Sequence, residues 1–112
     1  MSNAATVAAA AVFAALCGAS AAWADAPKGD AQAARKKIAV CEGCHGIPGY
    51  KTAFPVVYHV PMLGGQQAGY LVKALQAYRS GERSHPSMRG VAAGLSDQDM
   101  ADLAAYYAGA GK

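Results

Sequence analysis

Cys41-Glu42-Gly43-Cys44-His45 is the stretch on which the reading of this chain turns. Two thiols three positions apart, followed at once by an imidazole, form the C-x-x-C-H pattern of covalent c-type haem attachment. The spacing has a physical reason. Residues i and i+3 of a helical turn share a face, so Cys41 and Cys44 can both reach the vinyl groups along one porphyrin edge. His45 follows directly, which places its imidazole to bind iron as the proximal ligand. The same five residues admit other chemistry. A structural zinc site needs four ligands, and beyond these three only His59, His85 or a carboxylate could complete it. A thioredoxin-like redox pair belongs near a βαβ pattern, which this sequence does not offer.

Moving outward, the rest of the 112 residues bears on that choice. Met1 to Ala24 carry no charged side chain and are half alanine, with Val7, Val12, Phe13 and Leu16 adding hydrophobicity. Ala22-Trp23-Ala24 fits a small-x-small cleavage site, so residues 1–24 read as a secretory signal peptide cut before Asp25. No Lys or Arg precedes the apolar run, and an uncleaved anchor is the alternative, although so alanine-rich a stretch makes a poor lipid-spanning helix. Cys17 leaves with the signal, so the domain at 25–112 keeps only Cys41 and Cys44. A disulfide across so short a loop would stabilise little, and the pair reads as chemical rather than structural. All ten basic and seven acidic residues lie beyond Ala24, for a formal net charge of +3. That mild excess suits acidic protein surfaces, and without a dense basic block nucleic acid is excluded as a partner. A small core rich in Ala and Gly buries little apolar area, and a haem would supply the missing bulk.

The pattern predicts helices and breaker-rich loops in alternation, and no convincing strand. A first helix runs from near Lys28 to Gln32 up to about Val40, with Ala31, Ala34, Ile38 and Cys41 on one face and Arg35, Lys36 and Lys37 facing water. Residues 46–65 carry too many Gly and Pro for helix. They read as an ordered loop on the His45 side, whose carbonyl near Pro48 or Pro55 accepts from the imidazole. Tyr50, Phe54, Val56, Val57 and Tyr58 would cover the ring from this loop. A second helix over about 66–80 carries the stripe Tyr70, Leu71, Ala74, Leu75 and Tyr78, and Gly81 stops it. Residues 80–94 read as loop again. The last helix opens on Ser96 as N-cap with Asp97 and Asp99 in its first turn, and buries Met100, Leu103, Ala104 and Tyr107.

A haem held by His45 alone leaves one iron position open, and a thioether sulfur there suits electron transfer. Met1 falls in the signal, and Met100 fits the buried stripe as core filler. Met88, in the loop between two helices, is the first choice, with Met62 and His85 as rivals.

Taken in order, Cys41-Glu42-Gly43-Cys44-His45-Gly46, Pro61-Met62-Leu63-Gly64-Gly65-Gln66, Tyr70-Leu71, Tyr78-Arg79-Ser80-Gly81-Glu82-Arg83, Met88, Leu95-Ser96-Asp97 and Leu103-Ala104-Ala105-Tyr106-Tyr107 resemble class I cytochrome c. The likeness is to its short bacterial single-haem form and to the units of periplasmic di-haem cytochromes. The resemblance implies an all-α fold of three to four helices around one covalently bound haem c. It implies Cys41 and Cys44 as thioether sites, His45 as proximal ligand and Met88 as distal ligand. It also implies a periplasmic one-electron carrier rather than an enzyme. Its redox partners (an oxidase, reductase or dehydrogenase) would present acidic docking surfaces, and it would meet a membrane only through them. Lys51, Arg79, Arg83 and Arg89 are candidates to edge the haem rim, with Arg79 or Arg83 pairing a propionate. The loop from Ile47 to Val60 is longer and more aromatic than the family pattern leads one to expect.

Overall fold

The computed structural model describes residues 27–54 and 57–110; the expected signal peptide lies outside the described residues. The elements in chain order are α1 Ala31–Ala34, α2 Ala39–His45, β1 Lys51–Thr52, β2 Tyr58–His59, α3 Ala68–Ser80, α4 Pro86–Ala93 and α5 Asp97–Gly109. The architecture is the expected all-α one, with the helices divided more finely than the sequence suggests.

α5 is the axis. Ser96 caps it through a reciprocal pair: Ser96 Oγ accepts from the Asp99 N–H at 3.1 Å, and Asp99 Oδ2 accepts from the Ser96 N–H at 2.9 Å. This satisfies two amides that a helix start or its approach would otherwise leave open. Met100, Leu103, Ala104 and Tyr107 are all buried, as their spacing predicts, and Met100 is wholly out of solvent. α1 packs against α5, and α3 packs against both α5 and α4. Small residues allow the close approach. A methyl group on Gly29 would sit only 2.1 Å from the Ala101 carbonyl oxygen, so the segment entering α1 lies directly on the α5 backbone. α3 ends where expected, with Gly81 in the left-handed conformation at φ 90° and its N–H on the Ala77 carbonyl.

Three expectations fail. The single first helix is broken by a turn over 35–38, so that α1 and α2 are separate. No Gly or Pro causes this. The turn lets Lys37 reach α5, where its ammonium pairs with Asp99 at 2.5 Å and Asp102 at 2.9 Å. Lys37 therefore does not simply face water. Second, residues 86–93 form α4 rather than loop. Pro86 stands in the first turn, where its missing N–H costs nothing, and His85 Nδ1 accepts from the Met88 N–H at 3.4 Å as the cap. Third, the 46–65 loop contains a short antiparallel hairpin, Lys51 opposite His59 and Thr52 opposite Tyr58. Two-residue strands are too brief for an alternation to register.

Candidate functional site

A cavity of about 350 Å³ opens between the helices, with walls that are mostly apolar. α2 contributes Cys41, Cys44 and His45, and α4 contributes Met88 and Val91. The whole α3 stripe, Tyr70, Leu71, Ala74, Leu75 and Tyr78, faces it, and α5 closes it with Leu103, Ala104 and Tyr107. The fold thus brings all four sequence-predicted residues to one cavity, though they come from two helices more than 40 positions apart.

Among the described residues His45 is oriented by its bond to the loop. Its Nδ1 lies 2.6 Å from the Pro61 carbonyl oxygen. A carbonyl can only accept, so Nδ1 carries the hydrogen and Nε2 keeps its lone pair. The acceptor comes from the expected loop but not from the expected residue: it is Pro61, not Pro48, and Pro55 lies outside the described residues. Cys41 is buried and Cys44 exposed, and neither is in a disulfide. Burial pushes the Cys41 thiol up, the neighbouring Glu42 charge adds to this, and the Tyr107 hydroxyl opposes it. Tyr107 donates to Glu42 Oε1 at 2.5 Å, and burial together with that bond holds its phenol far above the usual range.

The other candidates divide. Met62 lines the cavity but is 60% exposed, whereas Met100 is enclosed in the core away from it. Of the cover expected from the hairpin, only Tyr58 reaches the cavity. Phe54 and Val57 stand 87% and 75% exposed, Tyr50 is half-buried without lining the cavity, and Val56 lies outside the described residues. Of the four basic residues expected at the rim, Arg83 alone lines it, held by the Tyr70 hydroxyl at 3.3 Å and lying 4.9 Å over the Tyr78 ring. Arg79 is instead paired with Asp97 at 2.6 Å, and the Arg89 guanidinium lies over Gly81. Among the described residues no group of three or more His, Cys, Asp or Glu is assembled for a metal ion.

The cavity fits a flat apolar group carrying iron: two sulfurs at one wall, an imidazole with a free Nε2, and a thioether within the same enclosure. Comparison with known proteins decides the family. The cytochrome c family model matches residues 31–109. The chain belongs to the cytochrome c family. It is a class I unit, a c-type electron carrier rather than an enzyme, with covalently bound haem c. It is 46% identical over 82 residues to cytochrome c-554(548) of Halomonas halodenitrificans, covering 70% of this chain and 94% of that protein. It is 44% identical over 80 residues to cytochrome c4 of Pseudomonas aeruginosa, covering 71% of this chain but 38% of that one. The crystal structure of reduced recombinant cytochrome c4 from Pseudomonas stutzeri superposes with a TM-score of 0.59 at 38% identity, over 73% of this chain and 46% of the other. The chain therefore spans nearly all of the first relative and less than half of these two cytochrome c4 chains. Among the described residues no helix is long and apolar enough to cross a membrane.

Proposed function

We propose that this cytochrome c is a periplasmic one-electron carrier whose haem is bonded to Cys41 and Cys44 and ligated by His45 and Met88. The chemistry a bound haem supplies is one-electron exchange at its iron. The chain does the rest. The Pro61 carbonyl fixes the His45 ring and its tautomer, leaving Nε2 as the donor. The α3 stripe and α5 wall the cavity with apolar side chains, and Arg83 offers a charged fork to a propionate. The observation that carries the reading is that oriented His45 and Met88 line the same apolar cavity.

His85 is the weaker distal candidate on physical grounds. Its Nδ1 accepts from the Met88 N–H, so in the neutral ring Nε2 holds the hydrogen and has no lone pair for iron. Met100 is enclosed elsewhere, and Met62 adjoins Pro61, whose carbonyl already serves His45. Export to the periplasm rests on the charge-free, alanine-rich segment 1–24 and its Ala22-Trp23-Ala24 site. Acidic partner surfaces are favoured by the net charge of +3 and by Arg83 at the cavity; exchange with such a partner should slow as ionic strength rises. The test of ligation is the weak near-infrared sulfur-to-iron band of the oxidised holoprotein. Met88→Ala abolishes it; its survival in that variant would assign the sulfur elsewhere.

A further inference from the structure

Glu42 stands between the two cysteines of α2, where a carboxylate would ordinarily turn to solvent. Here it is clamped. Its Oε1 accepts from Tyr107, a residue only 6% exposed that also lines the cavity and whose hydroxyl faces the Cys41 thiol. Its Oε2 lies over Gly46: a methyl group there would sit 2.2 Å from that oxygen, so the glycine after His45 makes room for the bent side chain. The carboxylate is thus folded back along α2 toward its C-terminal end, where the helix dipole gives it no compensation. The three ion pairs among the described residues use Lys37 and Arg79, and none reaches Glu42.

We infer that Glu42, held by Tyr107, sets the reduction potential of this cytochrome: a fixed, uncompensated negative charge beside Cys41 that favours the oxidised state. The inference rests on the reading of Cys41 and Cys44 as the haem attachment sites. Gaining one electron adds one negative charge in the cavity, and a half-buried carboxylate held by α5 through Tyr107 opposes it. A side chain free to swing into solvent would have its field largely screened. Tyr107 is the positioning residue, because it keeps the charge where it acts.

Midpoint potentials of the holoprotein, Glu42→Gln, Tyr107→Phe and the double variant test this, each measured at low and high salt. Glu42→Gln keeps the size of the side chain and an oxygen for Tyr107, so packing is retained while the charge goes. A unit charge at ~10 Å through an effective dielectric of ~20 shifts an equilibrium by about tenfold. Glu42→Gln is therefore expected to move the electron equilibrium about tenfold toward the reduced form, ~59 mV for one electron. That shift should persist at high salt. Tyr107→Phe should move it the same way by less, and the double variant should match Glu42→Gln alone. An unchanged potential in a fully haem-loaded Glu42→Gln protein overturns the inference, as does a Tyr107→Phe shift that adds in full to it. Loss of colour in the wild-type protein would instead overturn the haem reading beneath it.

Discussion

One side of α5 is complete as protein, and the other is not. On the side facing α1, Asp102 is 2% exposed yet fully served: it accepts from the Asp30 N–H, Gln98 Nε2 and Lys37 Nζ. Asp99 joins the same ammonium, and Gln98 also ties Lys28. No buried side-chain polar atom lacks a partner among the described residues. On the side facing the cavity, Leu103, Ala104 and Tyr107 line an apolar wall, α3 packs on α5, and α2 is tied to it by the Tyr107–Glu42 bond. Lys37 with Asp99 and Asp102 forms a polar latch made wholly of protein, whereas the cavity half is shaped to take its apolar contacts from a haem.

The largest expected effect follows from that contrast. Replacing both Cys41 and Cys44 with Ser removes the two proposed attachment points, and a domain this small then lacks the apolar bulk to hold its cavity side. Most of the helical circular dichroism should be lost, because α3 and α4 pack chiefly around the cavity. Wild-type helicity with a cooperative melt in that variant would show that the cavity half stands without its cofactor.

The two halves were not equally legible in the sequence. α5 announced itself through Ser96 and Asp99, and α3 through its stripe and Gly81, because caps and periodicity are local signals. The C-x-x-C-H pentapeptide is local too, and its two cysteines and histidine all line the cavity. The latch was invisible, since Lys37 and its two carboxylates lie more than 60 positions apart and nothing near Lys37 distinguishes it from Arg35 and Lys36. α4 was hidden by its own composition. Pro86 and Gly90 read as breakers, although the first sits where helices tolerate proline and the second faces open space. Pro61 as the acceptor for His45 depended on the course of a loop that no spacing rule fixes.

A smaller effect sharpens the contrast within the apolar residues. Leu103 is 2% exposed and belongs both to the core and to the cavity wall. Leu103→Ala should cost about 2–5 kcal/mol by chemical denaturation of the holoprotein. Phe54, at 87% exposed on the hairpin tip, has almost nothing to lose, and Phe54→Ala should stay within about 0.5 kcal/mol. A large loss at Phe54 would mean that the tip packs against something in solution.

The smallest effect is the pH dependence of the latch. The Lys37 ammonium, and then the Ser96 amide and hydroxyl, hold the Asp99 carboxyl at about 2 against an ordinary 3.8. Asp102 is also held low, first by the Asp30 N–H, then by Gln98 and Lys37. Because the folded state binds these protons less readily than the unfolded chain does, their stabilisation is complete above about pH 4 and drains away as the pH falls toward 2. Lys37 responds in the opposite direction: Asp99 and then Asp102 raise it, so its share is full below 10.5 and is lost only in strong alkali. Melting temperatures of the holoprotein across pH 5 to 2 should therefore fall most steeply below 4. Asp99→Asn removes one of the two titrating partners of Lys37 and should flatten that fall while lowering the melting temperature at pH 5. An acid profile identical in the variant would show that the loss does not run through Asp99.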